Sequence, residues 1–495
     1  MADEQSVGSS AGDEHAQATV PDDRRQKLER LRAAGVEPFP HRFEGVVPIA
    51  DVLAAHAELE AGGETASSYR LAGRLAARRG HGRAAFLDLV DRSGRLQLHA
   101  REDVLGEESF ARLTSLDLGD LVGVDGAAFR SRRGELSLRV EGWALLAKSL
   151  RAPPEKFHGL EDTETRYRRR ELDLIANVET RELFMLRSRV VSAVRGWLDE
   201  RGFLEVETPV LQQLYGGALA RPFTTHHNAL DRDLFLRIAT ELYLKRLIVG
   251  GLERVYEIGK DFRNEGISHK HNPEFTMLEW YEAYADYGDE ARHLEQLVAY
   301  VAEQVGYDGE LDFSSPWRRV TLRDAILDAT ALDVMAAREA PALLAAAAER
   351  EIDLDPSQTW AQLVDGLLSK HVEPALVQPT FVLDYPRELS PFAKAHRSQP
   401  GLVERFECFA AGMEFANAFS ELNDPDEQRA RFEDQRRLSS EGDVETQPYD
   451  EDFVRALEHG MPPTGGIGVG IDRLVMILSG RSSIREVVLF PALRR

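Results

Sequence analysis

The sequence predicts an α+β chain in which a small closed β-barrel precedes a larger domain of antiparallel strands and helices. Two observations carry this. Five strand-like segments follow one another within a hundred residues after about Tyr69: YRLAGRLAARR, AAFLDLVD, GRLQLHA, DLVGVDGAAFR and GELSLRVEGWALL. Turn signals such as Asp91–Gly94 and Arg132–Gly134 separate them. That count suits an OB-fold. Much later, two strand-like runs, Arg254–Arg263 and Glu274–Tyr281, flank a loop, Asn264–Pro273, rich in Gly, His, Asn and Ser. This pattern reads as a long hairpin.

Composition bounds the remaining choices. The 495 residues suffice for two or three domains with a large core. A content of 43% hydrophobic and 29% charged residues is that of a globular protein. The sequence carries no apolar run long enough to cross a bilayer and no signal-peptide pattern. Its single cysteine, Cys408, excludes an intramolecular disulfide, suits a reducing cytoplasm and reads as a small buried hydrophobe. The formal charge of −23 argues against a nucleic-acid partner until its distribution is considered. Between Arg70 and Arg151 there are 15 Lys+Arg against 11 Asp+Glu, a local +4 that leaves −27 for the remainder. Nucleic acid held at that one place fits the balance, and so does a solvated arginine-rich face.

In chain order, residues 1–21 are small, polar and acidic, and are expected to be disordered. Residues 22–65 form a helical extension: an amphipathic helix over Asp22–Gly35, an extended GVEPFPHRF, and a second helix over Ile49–Ala61. The barrel spans 66–150. In it Leu87, Leu89, Leu96 and Leu98 point inward while Phe86 and Gln97 point outward. An outward aromatic beside arginines can stack an unpaired base, although the pattern alone leaves Phe86 open to being barrel filling. A charged linker, 151–177, leads to a helix over Val178–Arg201 and a strand in GFLEVETPVL. The larger domain covers 178–495. It includes an alanine-rich helical insertion at about 289–375, where helix propensity explains the composition and no chemistry is evident.

On the returning strand of the hairpin, Phe275, Met277, Glu279 and Tyr281 share a face, and Arg263 and Glu265 lie on a common side of the outgoing one. Such a face is a poor core, because lone buried charges are costly. It suits a ligand that is anionic, aromatic and cationic in different parts. FRNEG at Phe262–Gly266 resembles motif 2 of the class II aminoacyl-tRNA synthetases, and HNPEFTMLEWYEAYADY at His271–Tyr287 is similar to their lysyl members. TGGIGVGIDRLVMIL, with alternating Gly466, Gly468 and Gly470 followed by Arg473, resembles motif 3. It is not a dinucleotide fingerprint, since Ile471 stands where the last glycine would be needed. Val178–Arg201 with GFLEVETPVL resembles motif 1, the dimer-forming element. GGALARPFTTHHNALDRDLFLRIATELYLKRLIVGG is also similar to the lysyl members. Two departures are Glu171, where the family more often has tyrosine, and Thr240, where it usually has proline.

The resemblance runs from about Arg24 to the C-terminus, and its implications are specific. The larger domain should be the class II catalytic domain, an antiparallel sheet flanked by helices, assembled as a homodimer. Arg263 and Arg473 should act on ATP, with Glu265, His271, Asn272, Phe275, Glu414 and Gly470 around it. Gly217, Glu241, Glu279, Tyr281, Asn417 and Glu421 should hold lysine. Glu407 and Glu414 flank a turn at Ala410–Gly412 that would bring them nearly opposite one another, and the matching glutamates bind Mg²⁺. Phe86, Gln97 and Glu135 match residues that contact the anticodon of tRNA(Lys). Sibling enzymes for aspartate or asparagine would need a cation or amide in the side-chain pocket, whereas this set of residues is acidic. A non-catalytic relative should have lost Arg263, Arg473 or the glutamate pair, and a paralogue acting on protein typically lacks the barrel.

Overall fold

The computed structural model describes residues 22–154, 160–440 and 447–494. The expected disordered tail, 1–21, lies outside the described residues, as does part of the linker. The chain divides into two compact units. One holds residues up to Glu161 together with Glu171–Asn177, and the other holds Asp162–Arg170 and Val178–Arg495.

In the first unit the strands Glu64–His81, Ala84–Val90, Arg95–Arg101, Leu136–Ala147 and Leu121–Arg130 close a barrel in that order. The first strand is long enough to pair with both neighbours. It meets Leu121–Arg130 along its first half and Ala84–Val90 along its second, with a register shift between Leu75 and Ala77 where it bends. Period-two alternation fills the interior with Leu71, Leu75, Leu87, Leu89, Leu96, Leu98, Val122 and Leu138, all buried, while Phe86 and Gln97 stand half-buried on the outside. The Asp91–Gly94 corner is tied by the Asp91 carboxylate, which accepts the backbone N–H groups of Ser93 and Gly94. The sequence reading left one piece out. Helices Glu102–Leu105 and Glu107–Ser115 connect the third and fourth strands, and Phe110 and Leu113 pack into the barrel core. The extension has its two helices, Asp22–Ala33 and Ile49–Ala55; the second is shorter than expected.

The second unit is built on an eight-stranded sheet in the order Arg318–Thr321, Thr380–Pro386, Leu402–Ala410, Met413–Ser420, Thr464–Gly470, Glu274–Ala283, Arg254–Phe262, Leu204–Glu205. Only the two edge pairings are parallel. One face of the central strands presents Leu278, Trp280, Phe406, Ala416, Ala418, Ile467 and Val469 to the helices Val178–Asp199, Tyr287–Val305 and Ile471–Ser479. The other face forms the cleft described below. The expected helical insertion proves to contain two different things. Tyr287–Val305 is a core helix whose Leu294, Val298 and Val301 pack behind the sheet, whereas Leu322–Thr330, Ala340–Ala348 and Trp360–Leu367 form a separate cluster beyond its edge. Among the described residues no helix is long and apolar enough to cross a membrane.

Candidate active-site cleft and barrel face

The hairpin pairs in simple register, with Phe262 opposite Glu274, Asp261 opposite Phe275, Glu257 opposite Glu279 and Val255 opposite Tyr281. Thr464–Gly470 lies between the returning strand and Met413–Ser420, and places Gly470 against Met277, Gly468 against Glu279 and Asn417, and Gly466 against Tyr281 and Phe419. A single row therefore runs Glu407–Asn417–Gly468–Glu279–Glu257 across five strands. The first four of these residues floor a cleft of about 1530 Å³ that is also lined by Gly217, Glu241, Arg263, Glu265, His271, Asn272, Phe275, Tyr281, Glu414, Gly470 and Arg473. A typical small-molecule pocket measures roughly 300–1,000 Å³, so two substrates can lie here together.

The glycines of the ladder differ in why they are bare. A Cβ on Gly466 would fall 2.0 Å from Glu421 Oε1 and 2.5 Å from the Tyr281 ring, so packing forbids it. On Gly468 and Gly470 the nearest atoms would be 3.7 Å away, an ordinary contact. Their bareness keeps the floor flat.

At the arginine-bearing end, the Arg263 guanidinium lies over the Phe275 ring, 5.0 Å from its centroid, with Nε unpartnered. Arg473 donates to the Glu414 backbone carbonyl at 2.6 Å and to Glu414 Oε2 at 3.0 Å, and lies 3.3 Å from His271 Nε2. Asn272 is buried with both side-chain ends engaged: Nδ2 donates to the Glu274 carbonyl at 2.6 Å and Oδ1 accepts from the Ala492 N–H at 3.1 Å. It braces the loop against the C-terminal segment. Glu265 stands exposed on the rim.

Glu407 and Glu414 are not cross-strand partners, contrary to the expected hairpin geometry. Glu407 opposes Asn417, and Glu414 opposes Phe409. The register shift between Cys408 and Phe409 makes Phe415 an extra residue, and this bulge brings Glu414 onto the cleft face instead of the core face that strict alternation would assign it. Burial pushes Glu407 up to about 7 against the pull of Arg405, with Glu414 adding to the rise. Arg405 is a hub that sequence reasoning missed. It pairs with Glu407 Oε1 at 2.5 Å, donates to Asn417 Oδ1 at 3.1 Å, and covers the Tyr385 ring at 4.5 Å. The alternation of Arg405 with Glu407 was the available signal.

The acidic end holds a cation that the expected set did not include. Glu241, Glu279 and Glu421 are buried together, but Lys245, one turn after Glu241 on the helix Glu241–Val249, reaches between two of them. Its Nζ is 2.6 Å from Glu241 Oε1 and 2.5 Å from Glu421 Oε2. Glu421 is buried against Gly466 on the cleft side of the sheet but does not line the open cleft, and its Oε1 has no hydrogen-bond partner. Glu279 accepts the Thr240 backbone N–H at 3.1 Å and the Tyr281 hydroxyl at 3.1 Å. A proline at position 240 would have no N–H to give. Burial, with Asp261 and Glu241 nearby, pushes Glu279 up to about 8. Burial likewise lifts Glu421 to about 8 in spite of Lys245. Gly217 has a φ of +88°, and a Cβ there would stand 2.8 Å from Glu241 Cβ. Only glycine closes the pocket at that point.

On the barrel, the outer row Phe86–His99–Arg139 adjoins the row Asp88–Gln97–Ser137–Phe129. Phe86 stacks on His99 at 4.7 Å with an interplanar angle of 8°, and His99 in turn meets Phe129 at 5.7 Å. His99 was missed, although it shares strand parity with Gln97. Gln97 accepts from the Ser137 hydroxyl at 3.1 Å, and Glu135 is exposed at the end of the neighbouring turn.

Comparison with known proteins agrees with this geometry. The family model "tRNA synthetases class II (D, K and N)" matches residues 162–494, and "OB-fold nucleic acid binding domain" matches 69–146. A lysine–tRNA ligase of Synechococcus is 52% identical over 480 residues, covering 95% of this chain and 98% of that one. The lysine–tRNA ligase of Moorella thermoacetica is 52% identical over 478 residues, 95% and 97% of the two chains. That of Carboxydothermus hydrogenoformans is 48% identical over 478 residues, again 95% and 97%.

The ladder yields a stability prediction. Gly466→Ala should destabilise the ligand-free protein by about 1–3 kcal/mol, as forced overpacking does, whereas Gly468→Ala should leave the unfolding midpoint unchanged. Thermal unfolding of the two variants decides it, and equal behaviour would contradict the difference in packing around Gly466 and Gly468.

Proposed function

The chain belongs to the class II tRNA synthetases (D, K and N), and from that membership we propose that it activates lysine with ATP and ligates it to tRNA(Lys). The observation that carries the substrate is the acidic end of the cleft. Three buried carboxylates face one built-in ammonium, Lys245. The ammonium groups of lysine complement this acidity by taking the place of protons that the raised carboxyls hold in the empty pocket. Aspartate would add charge of the wrong sign.

The reaction has two steps. The lysine carboxylate attacks the α-phosphorus of ATP, forming lysyl-adenylate and releasing pyrophosphate. The 3′-terminal ribose hydroxyl of tRNA then takes the lysyl group, and AMP leaves. No side chain acts as nucleophile, so the rate comes from positioning and electrostatic stabilisation. Phe275 stacks on adenine, with Glu265, His271 and Asn272 beside it. Arg263 bridges the α-phosphate and the attacking carboxylate. Arg473 turns from Glu414 and His271 to the γ-phosphate, and flat Gly470 admits the nucleotide. Gly217, Glu241, Glu279, Tyr281, Asn417 and Glu421 form the lysine subsite, with Glu421 acting through Lys245. Glu407 and Glu414 fit a hard divalent cation, because their mutual repulsion is relieved by one and both donors are oxygens. Mg²⁺ held there would neutralise triphosphate charge.

Phe86, Gln97 and Glu135, joined by His99, would read the anticodon on the barrel face. Exposed Val178 and Met185 on the motif 1 helix, with Leu204, Val210, Leu211 and Leu214 after it, support a homodimer joined through that surface. Sedimentation at micromolar concentration should give the mass of two chains, and a stable single-chain mass would refute the dimer. An enzyme consuming ATP and tRNA, with one buried free cysteine, is assigned to the cytoplasm.

ATP–pyrophosphate exchange tests the assignment. Lysine alone among the twenty amino acids should support it, and exchange driven best by aspartate or asparagine would overturn the reading. In the same assay Phe86→Ala should leave exchange intact while weakening tRNA charging by the about 1–3 kcal/mol of one stacked base. Loss of both activities would make Phe86 a folding residue.

The raised carboxyls make lysine binding a proton-linked event. With the pocket empty at pH 7, Glu279, pushed up to about 8, holds its proton. A bound ammonium favours the carboxylate, so binding expels a proton, and lysine affinity should rise between pH 6 and 8 and flatten above that. Calorimetry in buffers of different ionisation enthalpy reads this release. Affinity flat across that range, with no buffer dependence, would show Glu279 to be ionised already.

A further inference from the structure

The strand Glu274–Ala283 has a second face, turned away from the cleft, and a polar cluster lies there that the reaction does not use. Trp280 and Glu282 project from that strand, while Glu290 and His293 come from the helix Tyr287–Val305. The latter pair is three residues apart and so lies on one helix face. Glu290 is fully buried, Glu282 nearly so, and His293 half-buried. One donor atom from each of Glu282, Glu290 and His293 falls within 4.8 Å of the others, the only such grouping among the described residues. His293 Nδ1 is 3.2 Å from Glu282 Oε2 and 4.0 Å from Glu290 Oε2.

The hydrogen bonding of the cluster is incomplete in one direction only. Trp280 Nε1 donates to Glu290 Oε2 at 2.5 Å, and Arg254 pairs with Glu282 Oε1 at 2.5 Å. One oxygen of each carboxylate is thereby held in place. Glu290 Oε1 is buried without any hydrogen-bond partner, while Glu282 Oε2 and His293 Nδ1 have only each other, at 3.2 Å and without good hydrogen-bond geometry. A fully buried, unpartnered carboxylate oxygen beside such a loosely made pair is costly. Gly465, which pairs with Glu282 across the sheet, supplies room. A Cβ there would stand 2.5 Å from Glu290 Oε1.

We propose that Glu282, Glu290 and His293 form a binding site for a divalent transition-metal ion of the zinc class, which fastens the helix Tyr287–Val305 to the strand behind the cleft floor. One imidazole and two carboxylates suit Zn²⁺, Co²⁺ or Mn²⁺ better than Mg²⁺, which prefers oxygen alone. Tetrahedral ligands at about 2.0–2.1 Å from zinc lie about 3.3 Å apart, and His293 and Glu282 already stand at 3.2 Å. A small turn of the Glu290 carboxyl closes the third side, and water completes the shell. Trp280 and Arg254 orient the carboxylates from outside, as supporting groups do in metal sites. This site is separate from Glu407 and Glu414, which face the cleft.

Cobalt(II), a coloured stand-in for zinc, tests the proposal on the full chain with excess Mg²⁺ present. The parent protein should take up one Co²⁺ per chain with visible d–d absorption and a raised unfolding midpoint. His293→Leu and Glu290→Gln should lose both effects while still unfolding cooperatively and retaining lysine-dependent exchange. No uptake by the parent protein would overturn the site, and so would undiminished uptake by either folded variant. Two variants are used so that a failure of one to fold still leaves a decision.

Discussion

The register of Thr464–Gly470 between its two neighbours is the constraint on which the rest of the cleft depends. Side chains alternate with a period of two, so a slip of one residue would send Ile467 and Val469 into the cleft and the glycines into the core. The register is fixed from the core side, where Ile467 and Val469 are buried among Trp280, Ala416, Ala418 and Leu474. Hydrophobic packing on one face thus sets where carboxylates, arginines and bare backbone stand on the other. The row Glu407–Asn417–Gly468–Glu279–Glu257 exists because the opposite face is apolar.

Charge follows as the second constraint. A carboxylate placed beneath such a floor needs a partner, because unpaired buried charge is among the costliest features a fold can carry. Lys245 serves Glu241 on its own helix and Glu421 from a distant segment, Arg405 serves Glu407 two residues along its own strand, and Arg237 lies between Glu257 and Asp261. Glu279 is the exception, held by an N–H and a hydroxyl and by no cation. It is the acid with the most to gain from a cationic ligand, and the raised affinity for its own proton is the same fact in another form.

How much of this was legible in the sequence depends on whether the determining contact is local. The barrel, the hairpin, the inward leucines and the shared face of Phe275, Glu279 and Tyr281 follow from period-two patterning, which adjacent residues encode. Lys245 was not found because Glu421 lies 176 residues away and only folding selects it among many acids, whereas Arg405, two residues from Glu407 on one strand, was open to a period-two reading and was passed over. Glu414 was expected on the correct side for an incomplete reason. Alternation from Asn417 would turn it into the core, and the bulge at Phe415 that reverses this leaves no signature in the residues themselves. The barrel helices Glu102–Leu105 and Glu107–Ser115 escaped because each is too short to show helical periodicity clearly.

A reaction without a side-chain nucleophile puts all its demands on placement, and the junction between hairpin and final helix shows how the chain meets them. Asp472, buried and next to Arg473, accepts the Thr276 backbone N–H at 2.7 Å and pairs with Arg187 at 2.6 Å. Arg187 in turn donates to the Thr276 hydroxyl at 3.0 Å. Three elements are locked at one point: the motif 1 helix, the returning strand and the helix Ile471–Ser479. Thr276 is flanked by Phe275 on the cleft side, so the lock sets the spacing between that ring and the Arg473 guanidinium. Both line the cleft. Directional polar contacts behind the floor convert a sheet with a well-packed core into one whose two faces are in fixed relation.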